Sequence, residues 1–341
     1  MNRLFLILCI LLLSPKKTSA APPEEPKENN APKLNQETKQ RPTFYVAEGL
    51  DPDGSLVKYY RRGLDYAIDY FGNYGPYNIY LLGPSTKQNI QDIFRARAET
   101  RAIPGIKRSK KDQVEAFLQQ PNILKEIAAV MAGEATGGLT WSDPQQRVYE
   151  DVTTNATERT KDPIENTSGA LHEYHHVFQV AHSDSYADRS SDRNLNSWML
   201  EGVASYSTAI FTERLGLTDF KRYMLDLRTS GANIGRPGIN DFLSEKKVYQ
   251  LDEESYWDEG SYPQVYYMLG AWATAYLIHV QGIDEDTVLK DWYFDVLPMG
   301  KKAAFTKHMK MTPTEFYRKF DEFIRQADEE VMKIFQDDVQ P

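Results

Sequence analysis

The chain has 341 residues, enough for one large domain or two smaller ones, and its 41% hydrophobic and 26% charged residues are ordinary for a globular protein. The formal net charge is −9, and residues 1–20 carry Arg3, Lys16 and Lys17 but no acid, so the remainder is more acidic still. That balance excludes nucleic acid and an anionic membrane surface as general partners, because both reward positive charge.

Taken in chain order, Leu4 to Leu13 is an unbroken apolar run behind Arg3, and Thr18-Ser19-Ala20 offers small residues for cleavage before Ala21. The expectation is a signal peptide over residues 1–20, export to a periplasm or the medium, and no stable membrane insertion after cleavage. Lys16 and Lys17 leave retention as an anchor as the alternative. Cys9, the single cysteine, lies in this run, so the mature chain has no disulfide, which suits a bacterial envelope. Residues 21–41 are rich in Pro, Glu, Lys, Asn and Gln and read as a disordered leader.

Structure is expected from Pro42. Thr43 to Val46 reads as a strand. Leu56, Tyr59, Tyr60, Leu64, Ala67, Ile68 and Phe71 follow helical spacing and predict an amphipathic helix over Ser55 to Phe71. Tyr77 to Leu82, between Gly75-Pro76 and Gly83-Pro84, predicts a strand. Residues 85–132 read as mostly helical with a basic break at Lys107 to Lys111. Gly133 to Gly138 reads as a turn, and Arg147 to Thr153 as a strand by its alternation. Helices are then expected over residues 163–182, Asn194 to Leu215 (stopped by Gly216), Thr218 to Arg228, Tyr262 to Val280, Asp284 to Phe294 and Thr312 to Phe335. Residues 229–260 are polar and show no period; Asp252, Glu253, Glu254, Asp258 and Glu259 read as a solvated loop, with a preference for basic substrates as the alternative. The class is α+β, with an N-terminal α/β part over 42–160 and a helical part over 161–341.

The chemistry centres on His172-Glu173-Tyr174-His175-His176. Four residues advance a helix by about 400°, so His172 and His176 leave one face a turn apart and can share a metal ion. Glu173 then stands where a general base can reach water. His175 points about 100° round the helix from His176 and reads as structural. Catalytic zinc usually takes three protein ligands. His182 has the outer spacing of the metzincin pattern, but Gln179 stands where that pattern has Gly, and a helix running on would carry His182 some 120° off the ligand face. The other candidate is Glu201, a carboxylate in the otherwise apolar stretch Trp198-Met199-Leu200-Glu201-Gly202. Gly202 and Ala204 would let helices approach closely.

With Trp198-x-x-Glu201-Gly202-x-Ala204 downstream, the chain resembles the gluzincin zinc peptidases, in particular the peptidase-MA-like domains related to the aminopeptidase and leukotriene hydrolase branch. The resemblance covers about residues 145–325. It implies a zincin-like metallopeptidase fold and one catalytic Zn2+ ion held by His172, His176 and Glu201. It also implies Glu173 as general base, and a peptide or protein as substrate. Tyr267-Met268-Leu269-Gly270 matches the branch's Tyr-x-x-Gly, which implies Tyr267 as oxyanion stabiliser, with Tyr262 and Tyr266 as rivals. The strand before the motif helix would pair with extended substrate. Two features depart from the branch. The spacer from His176 to Glu201 is longer, at 24 residues (177–200), and the Gly-x-Met-Glu-Asn motif that reads a free amine is absent, so exopeptidase specificity is not implied. The alternatives are a catalytically inactive binding or scaffold protein, and a zinc hydrolase of a non-peptide substrate. No sequence feature specifies an oligomeric state.

Overall fold

The computed structural model describes residues 37–101, 109–133, 139–141, 149–153, 162–183, 191–233, 238–249 and 265–335. The expected signal peptide, Cys9, the leader as far as residue 36, residues 107 and 108 of the basic break, residues 134–138 of the expected turn, Tyr262 and the acidic run from Asp252 to Glu259 lie outside these residues. The chain divides into two compact units, one of residues 1–59 with 73–163 and the other of residues 60–72 with 164–341. Among the described residues no helix is long and apolar enough to cross a membrane.

The first unit is built on a four-stranded sheet of order β1-β2-β4-β3, where β1 is Thr43–Val46, β2 is Tyr77–Leu81, β3 is Leu139–Trp141 and β4 is Tyr149–Thr153. β1, β2 and β4 are parallel, and β3 runs antiparallel beside β4. Parallel neighbours need a crossover, and helix α1 (Ser55–Phe71), as long as its spacing predicts, joins β1 to β2. Helices α2 (Ile90–Arg101), α3 (Lys110–Leu118) and α4 (Pro121–Ala132) follow β2. Ser109 caps α3 by accepting from the Asp112 amide, and Gly133, at φ +79°, closes α4 in the left-handed conformation. Phe94, Val114, Phe117, Ile123 and Val130 from these helices form one core with Tyr80 of β2 and Val152 of β4. Order also begins before Pro42. The Thr38 amide donates to the Asn73 carbonyl and Asn73 Nδ2 to the Thr38 carbonyl, each at 2.7 Å, so backbone pairing holds part of the expected leader without apolar side chains.

β4 corrects a second expectation. It pairs with β2 along its whole length and with β3 over Tyr149 to Asp151, so over those three residues it presents no open edge to an extended substrate. The short β3, which has too few residues for a recognisable alternation, takes that edge.

The second unit is helical. Residues 60–71 of α1 belong to it, because Gly63 lets α1 approach α5 (Pro163–Ala181) until an added Cβ would collide with the Thr167 carbonyl oxygen. Tyr174 Oη closes that crossing by donating to the Gly72 carbonyl at 2.8 Å. The expected helix from Asn194 starts later. Lys301 N donates to the Asp192 carbonyl and Lys301 Nζ to Asn196 Oδ1, which keeps residues 192–194 in a turn. The helix opens instead as a π-helical turn over Trp198–Gly202 and continues as α6 (Val203–Arg214). Helix α7 (Phe220–Asn233) follows, then α8 (Ile239–Glu245), whose seven residues are too few to show a period.

α9 (Val265–Ala275) runs into a π turn at Tyr276–Val280. The expected helix at 284–294 is a π turn at Thr287–Asp291 followed by α10 (Tyr293–Met299), and Gly300, at φ +85°, separates α10 from α11 (Lys301–Met309). The expected closing helix breaks in two, α12 (Pro313–Ile324) and α13 (Asp328–Val331). Buried Arg228 is the reason. Its guanidinium donates to the carbonyls of Ile324 and Gln326, which the break frees, and pairs with Asp328.

Candidate metal centre

α5 is buried on every side from Ala170 to Ala181, so its polar residues there need internal partners. His172 Nε2 and His176 Nε2 lie 3.1 Å apart, and Glu201 Oε2 lies 3.3 Å from the first and 3.1 Å from the second. Their exposures are 6%, 4% and 3%. All three ligand atoms fall within 4.8 Å of one another, so the group can hold a metal ion.

Glu201 reaches this place from the π turn at Trp198–Gly202. A π turn widens the helix by a residue and frequently marks a functional site. Trp198 anchors the turn, donating from Nε1 to Tyr317 Oη at 3.0 Å and stacking on Phe316. Gly202 and Gly270 let the turn cross α9 backbone to backbone. A Cβ on Gly270 would lie 2.7 Å from Gly202 Cα and 2.8 Å from the Trp198 carbonyl oxygen, and one on Gly202 would meet Gly270 Cα. The close approach suggested by Gly202 is therefore made to the helix that bears Tyr267.

The electrostatics are those of a site short of positive charge. Burial lowers the pKa of His172. Burial also opposes charge on His176, but the Glu201 carboxylate outweighs it and raises that imidazole to about 9, with Glu173 adding to the effect. Burial opposes the charge of Glu201 too, yet His176 and His172 hold it below the usual carboxylate range. The proton drawn in between the imidazole and the carboxylate stands where a cation would neutralise the same group. Two imidazole nitrogens and one carboxylate oxygen are a donor set that zinc accepts.

No family model, curated protein or solved structure matches this chain.

Gln179 supplies what the spacing alone did not identify, the acceptor on the other nitrogen of His176. Its Oε1 lies 2.8 Å from His176 Nδ1, and the two N–H groups of its Nε2 are shared among the carbonyls of Met199 and Leu200 at 3.1 Å and Tyr293 Oη at 3.0 Å. Two carbonyls cannot face an amide oxygen, so the amide orientation is settled: Oε1 accepts from Nδ1–H, and His176 keeps Nε2 for a ligand. Spacing held a signal for this role. Seven residues past His172 is about 20° short of two full turns, so Gln179 lies on the ligand face.

The other residues fall as follows. Glu173 is 2% exposed, beside His172 on α5. Tyr267 is half-buried, its ring stacked 6.1 Å from that of His172. Tyr266 is also brought near, with its hydroxyl pushed up to about 12 by burial and by the charge of Glu201. His175 is fully buried against Phe71, with Nδ1 2.6 Å from Ser207 Oγ, and burial together with the neighbouring histidines drives its pKa well down, so it is a neutral core group. His182 is not in the cluster. α5 ends at Ala181 instead of running past it, and the His182 ring packs 4.8 Å from Phe178 and 4.6 Å from Phe294.

Proposed function

We propose that this chain is an exported zinc-dependent peptidase of the gluzincin type, with a zincin-like fold. The observation that supports it best is the convergence of Glu201, 25 residues beyond His176, on the two histidines of a helix that also carries Glu173. His172, His176 and Glu201 would hold the ion. Zinc in such a site supplies Lewis acidity, polarising a carbonyl and bringing the pKa of water down to about 7. Glu173 then acts as general base, taking the proton of the attacking water and passing it to the leaving nitrogen. Tyr267, stacked beside His172, is the donor for the developing oxyanion, and Tyr266 is its rival for that role. Gln179, by accepting at His176 Nδ1, would leave the Nε2 lone pair available to the ion.

The test is hydrolysis of a quenched peptide library by the zinc-loaded chain, with metal content measured in parallel because the same donor set also suits iron(II). The wild type should cleave. Glu173→Gln should retain zinc and lose activity by at least about 100-fold. A zinc-loaded wild type that cleaves no peptide would sink the peptidase reading and leave a binding protein or a hydrolase of another bond.

A further inference from the structure

We infer that Gln179 is a positioning residue that sets both halves of the metal centre at once: it orients His176 on α5 and holds the π turn that delivers Glu201. This rests on the metal-site reading above, and not on which bond is cut.

One amide spans two chain segments. Its oxygen accepts from His176 Nδ1, and its nitrogen donates to the carbonyls of Met199 and Leu200, the two residues before Glu201. A π turn shifts the hydrogen-bond ladder by one residue and leaves carbonyl capacity that an α-helix would use. Here Gln179 takes up that capacity, and Tyr293 Oη reinforces it by donating to the Met199 carbonyl at 3.0 Å while accepting from Gln179. All of these groups are buried, and the Met199 and Leu200 carbonyls keep other donors, Tyr293 Oη and the Val203 amide, so what loss of the amide removes is the link between the two segments. One side chain therefore links the His176 tautomer to the π turn and to the separation of Glu201 Oε2 from His176 Nε2, beside the Trp198 anchor and the Gly202–Gly270 crossing. An ordinary partner of a ligating histidine would fix the ring alone. Gln179 fixes the ring relative to the third ligand.

Two substitutions separate these roles. Gln179→Glu keeps an acceptor for His176 Nδ1 but cannot donate to two carbonyls; Gln179→Leu removes both functions. If Gln179 served only the histidine, Gln179→Glu would bind zinc as tightly as the wild type or more so. If it bridges the two segments, Gln179→Glu should bind zinc about 10-fold more weakly and Gln179→Leu about 10- to 100-fold more weakly. Zinc affinity is measured on the full chain by competition with a chromophoric chelator, after circular dichroism has shown that each variant folds. A measurement on the wild type serves if the variants do not fold: in the zinc-loaded chain with 15N-labelled histidine, His176 must carry its proton on Nδ1. Wild-type affinity in Gln179→Glu, or a His176 proton on Nε2, overturns the inference. A wild type that binds no divalent metal overturns the metal-site reading instead, and is seen before any variant is made.

Discussion

Each unit buries a cluster of charged side chains, and the two clusters solve the same problem in opposite ways. In the first unit the fully buried Arg97 donates from Nε and Nη2 to Glu150 Oε2 at 3.1 and 3.0 Å and from Nη1 to Glu126 Oε2 at 2.8 Å. Arg101 adds a second guanidinium at 2.8 Å from the same Glu150 oxygen, and the rings of Phe94 and Tyr80 lie against Arg97. Two permanent cations answer two carboxylates, and the cluster is electrostatically closed. In the second unit Glu201 meets imidazoles, whose positive charge is optional, and Glu173 lies beside them. That cluster reaches neutrality only by drawing in a proton or a metal ion. Burying a carboxylate therefore does not by itself make a metal centre; a carboxylate answered by imidazoles, not guanidinium groups, is one that could hold an ion.

Breaking each cluster at one point should separate them most strongly. Glu201→Gln should weaken zinc binding by more than about 100-fold, beyond the 10- to 100-fold typical of a supporting partner, in a chelator competition. Arg97→Met should leave zinc affinity unchanged and destabilise the chain by about 3–5 kcal/mol in denaturant unfolding, because it strands buried carboxylates; Arg97→Met with Glu150→Leu should recover part of the loss. A change in zinc affinity in Arg97→Met would break the contrast.

The backbone crossing beneath Glu201 gives a smaller effect. Gly202→Ala should cost about 1–3 kcal/mol, since its Cβ would meet Gly270, whereas Gly169→Ala, inside α5 with nothing within 4 Å, should gain up to about 1 kcal/mol in the same unfolding measurement. The remaining effect is in pH. In the metal-stripped chain His176 is raised from 6.5 to about 9, so its contribution to stability is fully present below pH 6.5 and lost as pH rises through about 9. Melting temperature with chelator should fall over that window, while zinc, competing with the same proton, should bind more tightly as pH rises. A flat melting temperature between pH 6.5 and 9 would remove the proton from the centre.

What could be read from the sequence is what local geometry dictates. The 3.6-residue period alone places His172 and His176 on one face and gives α1 its limits at Ser55 and Phe71, because each depends on neighbours a turn away. Tertiary structure decided the rest. The sequence offered His182 and Glu201 as a third ligand, and the choice turned on where α5 ends and on a glycine crossing between segments far apart in the chain. The π turn at Trp198–Gly202 has no periodic signature, since a single inserted residue is invisible to a window of a dozen. β3 and α8 are too short to show a period, and the break after Ile324 depends on Arg228, 96 residues earlier. Gln179 shows the division most plainly. Its place on the ligand face is arithmetic, but its role follows from carbonyls that only folding brings to it.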